Sequence, residues 1–174
     1  PVTRSANAAI DKVAVQRPEV IEMIAAYGGT DLLCYRAEGP ASLINRQAAE
    51  WDPFLDWSAL ALGAPLVTTT GVIPVDQDAH SLRILADQLA EATNFELAAL
   101  HDLVSLSGSL VLGLSVAQGH AAACDVWPVA RLDELWQSEQ WGRDEDAESA
   151  AAVKEAAFIH AERFLGLARS DAPT

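Results

Sequence analysis

Between Asp133 and Glu148 the chain reads DELWQSEQWGRDEDAE, seven carboxylates and two tryptophans in sixteen residues with a single arginine. These residue types suit recognition. Tryptophan offers large apolar area at small conformational cost, and carboxylates steer a basic partner into register while repelling wrong ones. The same acids also suit the positive end of a helix dipole or a plain solvated face. Trp136 should face a helix seam together with Leu132, whereas Trp141, just before Gly142, should mark a corner. At that corner Gln137, Glu139 and Asp144 can offer acceptors to an arginine or to exposed backbone amides.

Catalytic chemistry finds little support elsewhere in the chain. His80, His101, His120 and His160 fall on separate expected elements, and none forms an H-E-x-x-H, E-x-x-H or H-x-x-x-H spacing that would put two ligands on one helix face. His101 and Asp102 are adjacent, so on a helix they should point in different directions. Ser107-Gly108-Ser109 is not a G-x-S-x-G elbow and follows no strand, so helix packing explains it better. Cys34 lies near Arg36 but among Leu32, Leu33 and Tyr35, which read as core. No glycine-rich phosphate loop occurs. Neither a cofactor nor a metal is therefore expected, although abundant acids leave open a glycosidase-like pair brought together by folding.

Composition narrows the partners. A chain of 174 residues with 51% hydrophobic side chains has ample material for a core. Its formal net charge of −14 opposes binding to nucleic acid or anionic lipid, so partners should be neutral or basic. Cys34 and Cys124 are isolated thiols without disulfide or zinc spacing, which fits a reducing compartment. The opening PVTRSANAAID lacks an initiator Met, and it also lacks the basic flank and apolar core of a secretory signal.

The elements that must position these residues are mainly helical. Pro18 suits a first helical turn, Val20, Ile24 and Tyr27 share a face, and Gly28-Gly29 can end the helix. Asp52-Pro53 predicts a corner between a helix ending near Trp51 and another running to Gly63. Asp78 should cap a helix whose Leu82, Leu85, Ala86 and Leu89 face the core, with Arg83, Asp87 and Glu91 outward. Asn94 should cap the next, and Val153, Ala157, Ala161, Phe164 and Ala168 should line one face of the last. The segments 32–36 and 66–70 are brief and β-rich, and they can pair as a small accessory ribbon. From Leu103 to Cys124 no side chain is formally charged, but serines, glycines, a glutamine and a histidine break the run, so it is not a membrane span. Ser105, Ser109, Gly113 and Ala117 fall four apart, which predicts a buried central helix approached closely by a neighbour. The fold class is thus mainly α, a helical bundle with a buried central helix and at most a two-stranded ribbon.

Several short patterns, taken in order, resemble a known family. They are Thr3-Arg4 with Ala6-Asn7 and Ile10-Asp11, then Thr30-Asp31-Leu32-Leu33-Cys34-Tyr35-Arg36, then Gln47 followed by Trp51-Asp52-Pro53. Leu110-Val111-Leu112-Gly113-Leu114 comes next, and then Leu132-Asp133-Glu134 through Gln137, Glu139, Trp141-Gly142 and Asp144. Over nearly its whole length the chain resembles the assembly chaperones that bind the alpha subunit of F-type ATP synthase. The resemblance implies that residues 1–174 are the family's helical C-terminal domain, with its β-rich N-terminal domain absent. Glu145-Asp146 departs from the acidic order expected in relatives, so no individual role passes to those two.

The function implied is non-enzymatic: holding a new alpha subunit until it pairs with beta. An unassembled subunit exposes an interface that its partner would bury, and such a surface is an aggregation hazard. Partner contact is expected at Asp133, Glu134, Gln137, Glu139, Trp141 and Asp144, with a contribution from Arg36 and Trp51, for which an internal ion pair and a core aromatic are the structural alternatives. The resemblance implies the bacterial cytoplasm or the mitochondrial matrix, and the chain is expected to be a monomer that neither binds nucleic acid nor inserts into a membrane. A helical hydrolase with a carboxylate or carboxylate-histidine site, and an oligomeric scaffold domain, are the alternative readings.

Overall fold

Apolar periodicity becomes nine α-helices among residues 2–170, which the computed structural model describes. They are α1 (Val2–Ala8), α2 (Arg17–Ala25), α3 (Ala41–Trp57), α4 (Ala79–Ala90), α5 (Asn94–Ser107), α6 (Leu110–Ala117), α7 (Ala123–Ala130), α8 (Leu132–Trp141) and α9 (Glu145–Ser170). Two short strands, β1 (Tyr35–Arg36) and β2 (Thr69–Thr70), pair in parallel with Tyr35 opposite Thr69. The ribbon lies within the two segments expected to form it, though shorter, because Leu32–Cys34 tightens into a 3-10 turn instead.

The uncharged run folds as a hairpin of two helices. Gly108, at φ +73°, ends α5 in the left-handed region that favours glycine, and the Ser109 hydroxyl then caps α6 by accepting from Leu112 N–H at 3.0 Å. All eight residues of α6 are buried, so the central helix is real but shorter than the run. The spacing of four across residues 105–117 does not define one face, since Ser105 sits exposed on α5 and only Gly113 and Ala117 lie within α6. Close approach nevertheless occurs at Gly113, where an added Cβ would stand 2.4 Å from Val104 Cγ2 and 3.3 Å from the Val104 backbone nitrogen. Gly113→Ala should therefore destabilise the fold by about 1–3 kcal/mol in urea unfolding, and Val104→Ala in the same chain should return part of that loss. An additive double mutant would show that the two side chains do not meet.

Around this hairpin α9 packs against α5 and α7, while α2 packs against α4 and α5. The buried face of α9 carries Phe158, Ala161, Phe164 and Leu165, whereas Val153, expected on that face, is 71% exposed because α9 has not yet reached the core there. Arg169 near the end of α9 donates to Glu96 Oε1 at 2.7 Å and to the Ala117 carbonyl, clasping the last helix to α5 and α6.

Three local expectations need correction. Pro53 does not break the chain, because α3 runs through it: Leu43, Gln47, Trp51 and Leu55 recur every fourth residue on one buried face, and that burial outweighs the roughly 3 kcal/mol cost of an interior proline. The residue capping α5 is Thr93, which forms a capping box with Glu96; Asn94 is the first helical residue, and its Oδ1 accepts from Arg17. His101 and Asp102 do meet, with Nδ1 and Oδ1 3.1 Å apart, since both side chains are half-exposed and can bend toward each other. The other expected punctuation is present: Asp78 caps α4 through Ser81 N–H, Leu85 and Leu89 are buried, and Gly63 at φ +73° closes the π-helical turn that follows α3.

Candidate functional site

Arg131 is at once the last cap of α7 and the first of α8, so the two helices join with no intervening loop. Gly142, at φ +97°, then turns the chain sharply into α9, whose start is capped by Asp144 Oδ1 accepting from Asp146 and Ala147 N–H. Between these three helices lies an open groove of about 640 Å³. Its lining is apolar at Trp127, Leu135, Trp141 and the alanines of α9, and acidic at Glu134, Asp144, Glu148 and Glu155.

Four of the candidate residues meet in this groove: Glu134, Gln137, Trp141 and Asp144. The first three share a face of α8 because they follow helical spacing. Trp141 is 76% exposed and touches the half-buried Trp136 edge-on, with ring centroids 5.8 Å apart, so the corner presents one tryptophan while the other packs against the core.

The other four candidates lie on the α3 side of α8. Gln47 is buried, and its amide nitrogen donates to Asp133 Oδ1 at 2.8 Å while its amide oxygen accepts from Ala37 N–H at 2.8 Å. Glu139 pairs with Arg46 at 2.7 Å on the exposed surface. Trp51 is fully buried, and its indole N–H donates to the Val129 carbonyl at 2.9 Å, one of the last carbonyls of α7. Arg36 places its guanidinium 5.4 Å from the Trp51 ring and pairs with Asp52 at 2.6 Å. Trp51 thus fastens α3 as a core aromatic, while Arg36 pairs at the surface with the half-exposed Asp52.

Sequence reasoning missed Trp127, Arg131 and Glu155, and it included Leu135 and Glu148 only as part of the acidic segment without singling them out. Their signal was available in part, since 127, 131, 134 and 138 keep helical spacing across the α7–α8 joint and 144, 148, 151 and 155 keep it along α9. What hid them was the joint itself, which the chain marks with no glycine.

Chemically the groove is equipped to bind. No histidine or cysteine is among its lining residues, and its carboxylates sit at an open rim with Glu134 held by Arg131 at 3.1 Å. Asp31, the carboxylate that burial pushes up to about 6, lies away from it under α6. Burial, aided by the Asp31 charge and opposed by Arg36, likewise lifts the Cys34 thiol to about 12, so it stays protonated and inert at neutral pH. Among the described residues no group of three potential ligands could hold a metal ion, and no helix is long and apolar enough to cross a membrane.

Comparison with known proteins places this architecture. The sequence model of the family described as ATP12 chaperone protein matches residues 1–59. Solved structures of Atp12 from Paracoccus denitrificans, one of them a point mutant, share 52% identity and a TM-score of 0.93 with this chain. Each match covers 95% of this chain, and 70% or 71% of the Paracoccus chain. A candidate chaperone from Agrobacterium tumefaciens matches at 39% identity and a TM-score of 0.88, over 93% of this chain and 60% of that one.

Proposed function

The chain belongs to the ATP12 chaperone family, and from that membership we propose that it is an assembly chaperone of the F-type ATP synthase whose guest is the unassembled alpha subunit. It works as a monomer, without cofactor or catalysis, in the bacterial cytoplasm or the mitochondrial matrix. The observation that carries this reading is the groove on α8, where the exposed Trp141 stands within a rim of carboxylates. An aromatic anchor surrounded by charge is the arrangement of a binding hot spot with a steering rim. It suits a guest that must be held and later released: apolar contact shields the guest's interface, and exposed rim charges contribute more to encounter than to permanence. Asp133, Glu134, Gln137, Glu139, Trp141 and Asp144 provide the contact surface, and Arg36 and Trp51 hold α3 behind it.

Co-purification with separately expressed alpha and beta subunits tests the proposal. The chain should retain alpha and not beta. Trp141→Ala should weaken retention by roughly tenfold or more. Glu134→Lys and Glu139→Lys should weaken it in a salt-dependent way, with helical content by circular dichroism unchanged in all three. Capture of neither subunit would remove the proposal, and loss of helix in the variants would make these residues structural.

A further inference from the structure

Among the described residues Arg131 is the only cation lining the groove, and its side chain is largely covered. Its guanidinium carbon stands 5.8 Å from the Trp127 ring centroid, and its Nη1 lies 3.1 Å from Glu134 Oε1. An aromatic face and a carboxylate together form a seat for a planar cation, because the ring quadrupole and the carboxylate attract the same charge from two sides. In the free protein a residue of the chaperone itself fills that seat. Around it stand Trp141, Leu135 and the small side chains of α9, with the carboxylates of Asp144, Glu148 and Glu155 at the rim. Glu148 has a partial counterion in Arg143 at 3.4 Å, which leaves the rim net acidic.

We infer that the guest enters this groove as an amphipathic segment carrying an arginine, whose guanidinium takes over the Trp127–Glu134 seat that Arg131 occupies in the unbound chain. The inference rests on the proposed function and adds to it the chemistry of the guest and an internal competitor for its site. Charge complementarity selects this occupant: an apolar floor ringed by carboxylates accepts an apolar segment bearing cations and repels one bearing acids. The backbone of Arg131 is fixed at the α7–α8 joint, so only its side chain has to swing away. Displacement is then an exchange of one guanidinium for another. Such an exchange keeps affinity moderate and leaves the site closed again once the guest departs.

Isothermal titration calorimetry with an amphipathic helical peptide of leucine, alanine and arginine tests this, beside versions in which lysine or citrulline replaces arginine. The arginine peptide should bind several-fold tighter than the lysine peptide, and the citrulline peptide weakest. Arg131→Ala should tighten the arginine peptide by about two- to fivefold, since the competing cation–π and ion-pair contacts are removed. Arg83→Ala, which deletes the same charge from an outward position on α4, should leave that affinity unchanged. If Arg131→Ala lowers helical content, Arg131→Met keeps the packing stem and should show the same tightening. Glu134→Lys should abolish the preference for arginine, whereas Asp87→Lys on α4 should not. Equal binding of the arginine and citrulline peptides overturns the inference, as does weakening by Arg131→Ala and Arg131→Met, or tightening shared equally with Arg83→Ala. Should alpha still co-purify through Trp141 while the peptides bind alike, the inference falls and the proposed function stands. Should the peptides rank as expected while alpha is not retained, the assignment of the guest falls instead.

Discussion

Trp51→Ala should cost the fold about 3–5 kcal/mol, read as a lower urea midpoint followed by circular dichroism. The side chain is completely buried, so truncation opens a cavity the size of an indole between α3 and α7. It also removes the donor that satisfies the Val129 carbonyl at 2.9 Å, and it strips the ring from beneath the Arg36 guanidinium. These losses reinforce one another because they share one residue. Trp51→Phe separates them: it keeps most of the ring but no N–H, and should cost about 1–3 kcal/mol, chiefly from the orphaned carbonyl. A loss below about 1 kcal/mol for Trp51→Ala would show that α3 is not fastened to α7 through this residue. The groove should loosen with the fold, since Trp51 holds the carboxyl-terminal end of the helix that carries Trp127.

Asp31→Asn should behave in the opposite sense to the removal of an ordinary surface carboxylate. Asp31 is fully buried beneath α6, where its two oxygens accept from Leu33 N–H at 3.1 Å and Val111 N–H at 3.0 Å. Desolvation pushes its carboxyl up to about 6, against the lowering by these amides and the Ser109 hydroxyl. A carboxyl raised in the folded state binds its proton more tightly there than in the unfolded chain. Its contribution to stability is therefore fully present below the unfolded value near 3.8 and is lost as pH rises through about 6. Asparagine cannot titrate, and its amide nitrogen must also face one of the backbone donors. The penalty for Asp31→Asn should thus grow by about 2 kcal/mol from pH 7 to pH 4. Urea titrations of both proteins at the two pH values give this difference directly, and other carboxylates cancel in the comparison. A penalty that shrinks toward pH 4 would mean that Asp31 is held below its usual range.

Much of the helical architecture was legible because it rests on local physics. Asp78 caps α4 and Gly63 closes the turn after α3, since an oxygen acceptor or a left-handed residue is needed at those points whatever surrounds them. Gly108 was less legible. Within an uncharged run it reads equally well as a small residue on one long helix, and only the fold of α6 back against α5 shows it to be a terminator. Pro53 misled for the converse reason. Its local preference is to begin a helix, and the continuous buried face of α3 overrides it.

The site divides along the same line. Sequence alone located the densest run of carboxylates and tryptophans at residues 133–148 and placed Trp141 at the end of a helix, at a corner before Gly142. Residue type and order carry that information without coordinates. Only the tertiary structure decided which acids act together. Asp133 and Glu139 turn toward Gln47 and Arg46 on α3, whereas Glu134 and Asp144 face the groove with Trp141. A helix presents residues to all sides, and which side meets a neighbour is set by the packing of α3 and α9 on either flank. The same packing brought Arg131 and Trp127 beneath the acids, a juxtaposition that no spacing within the acidic segment could reveal.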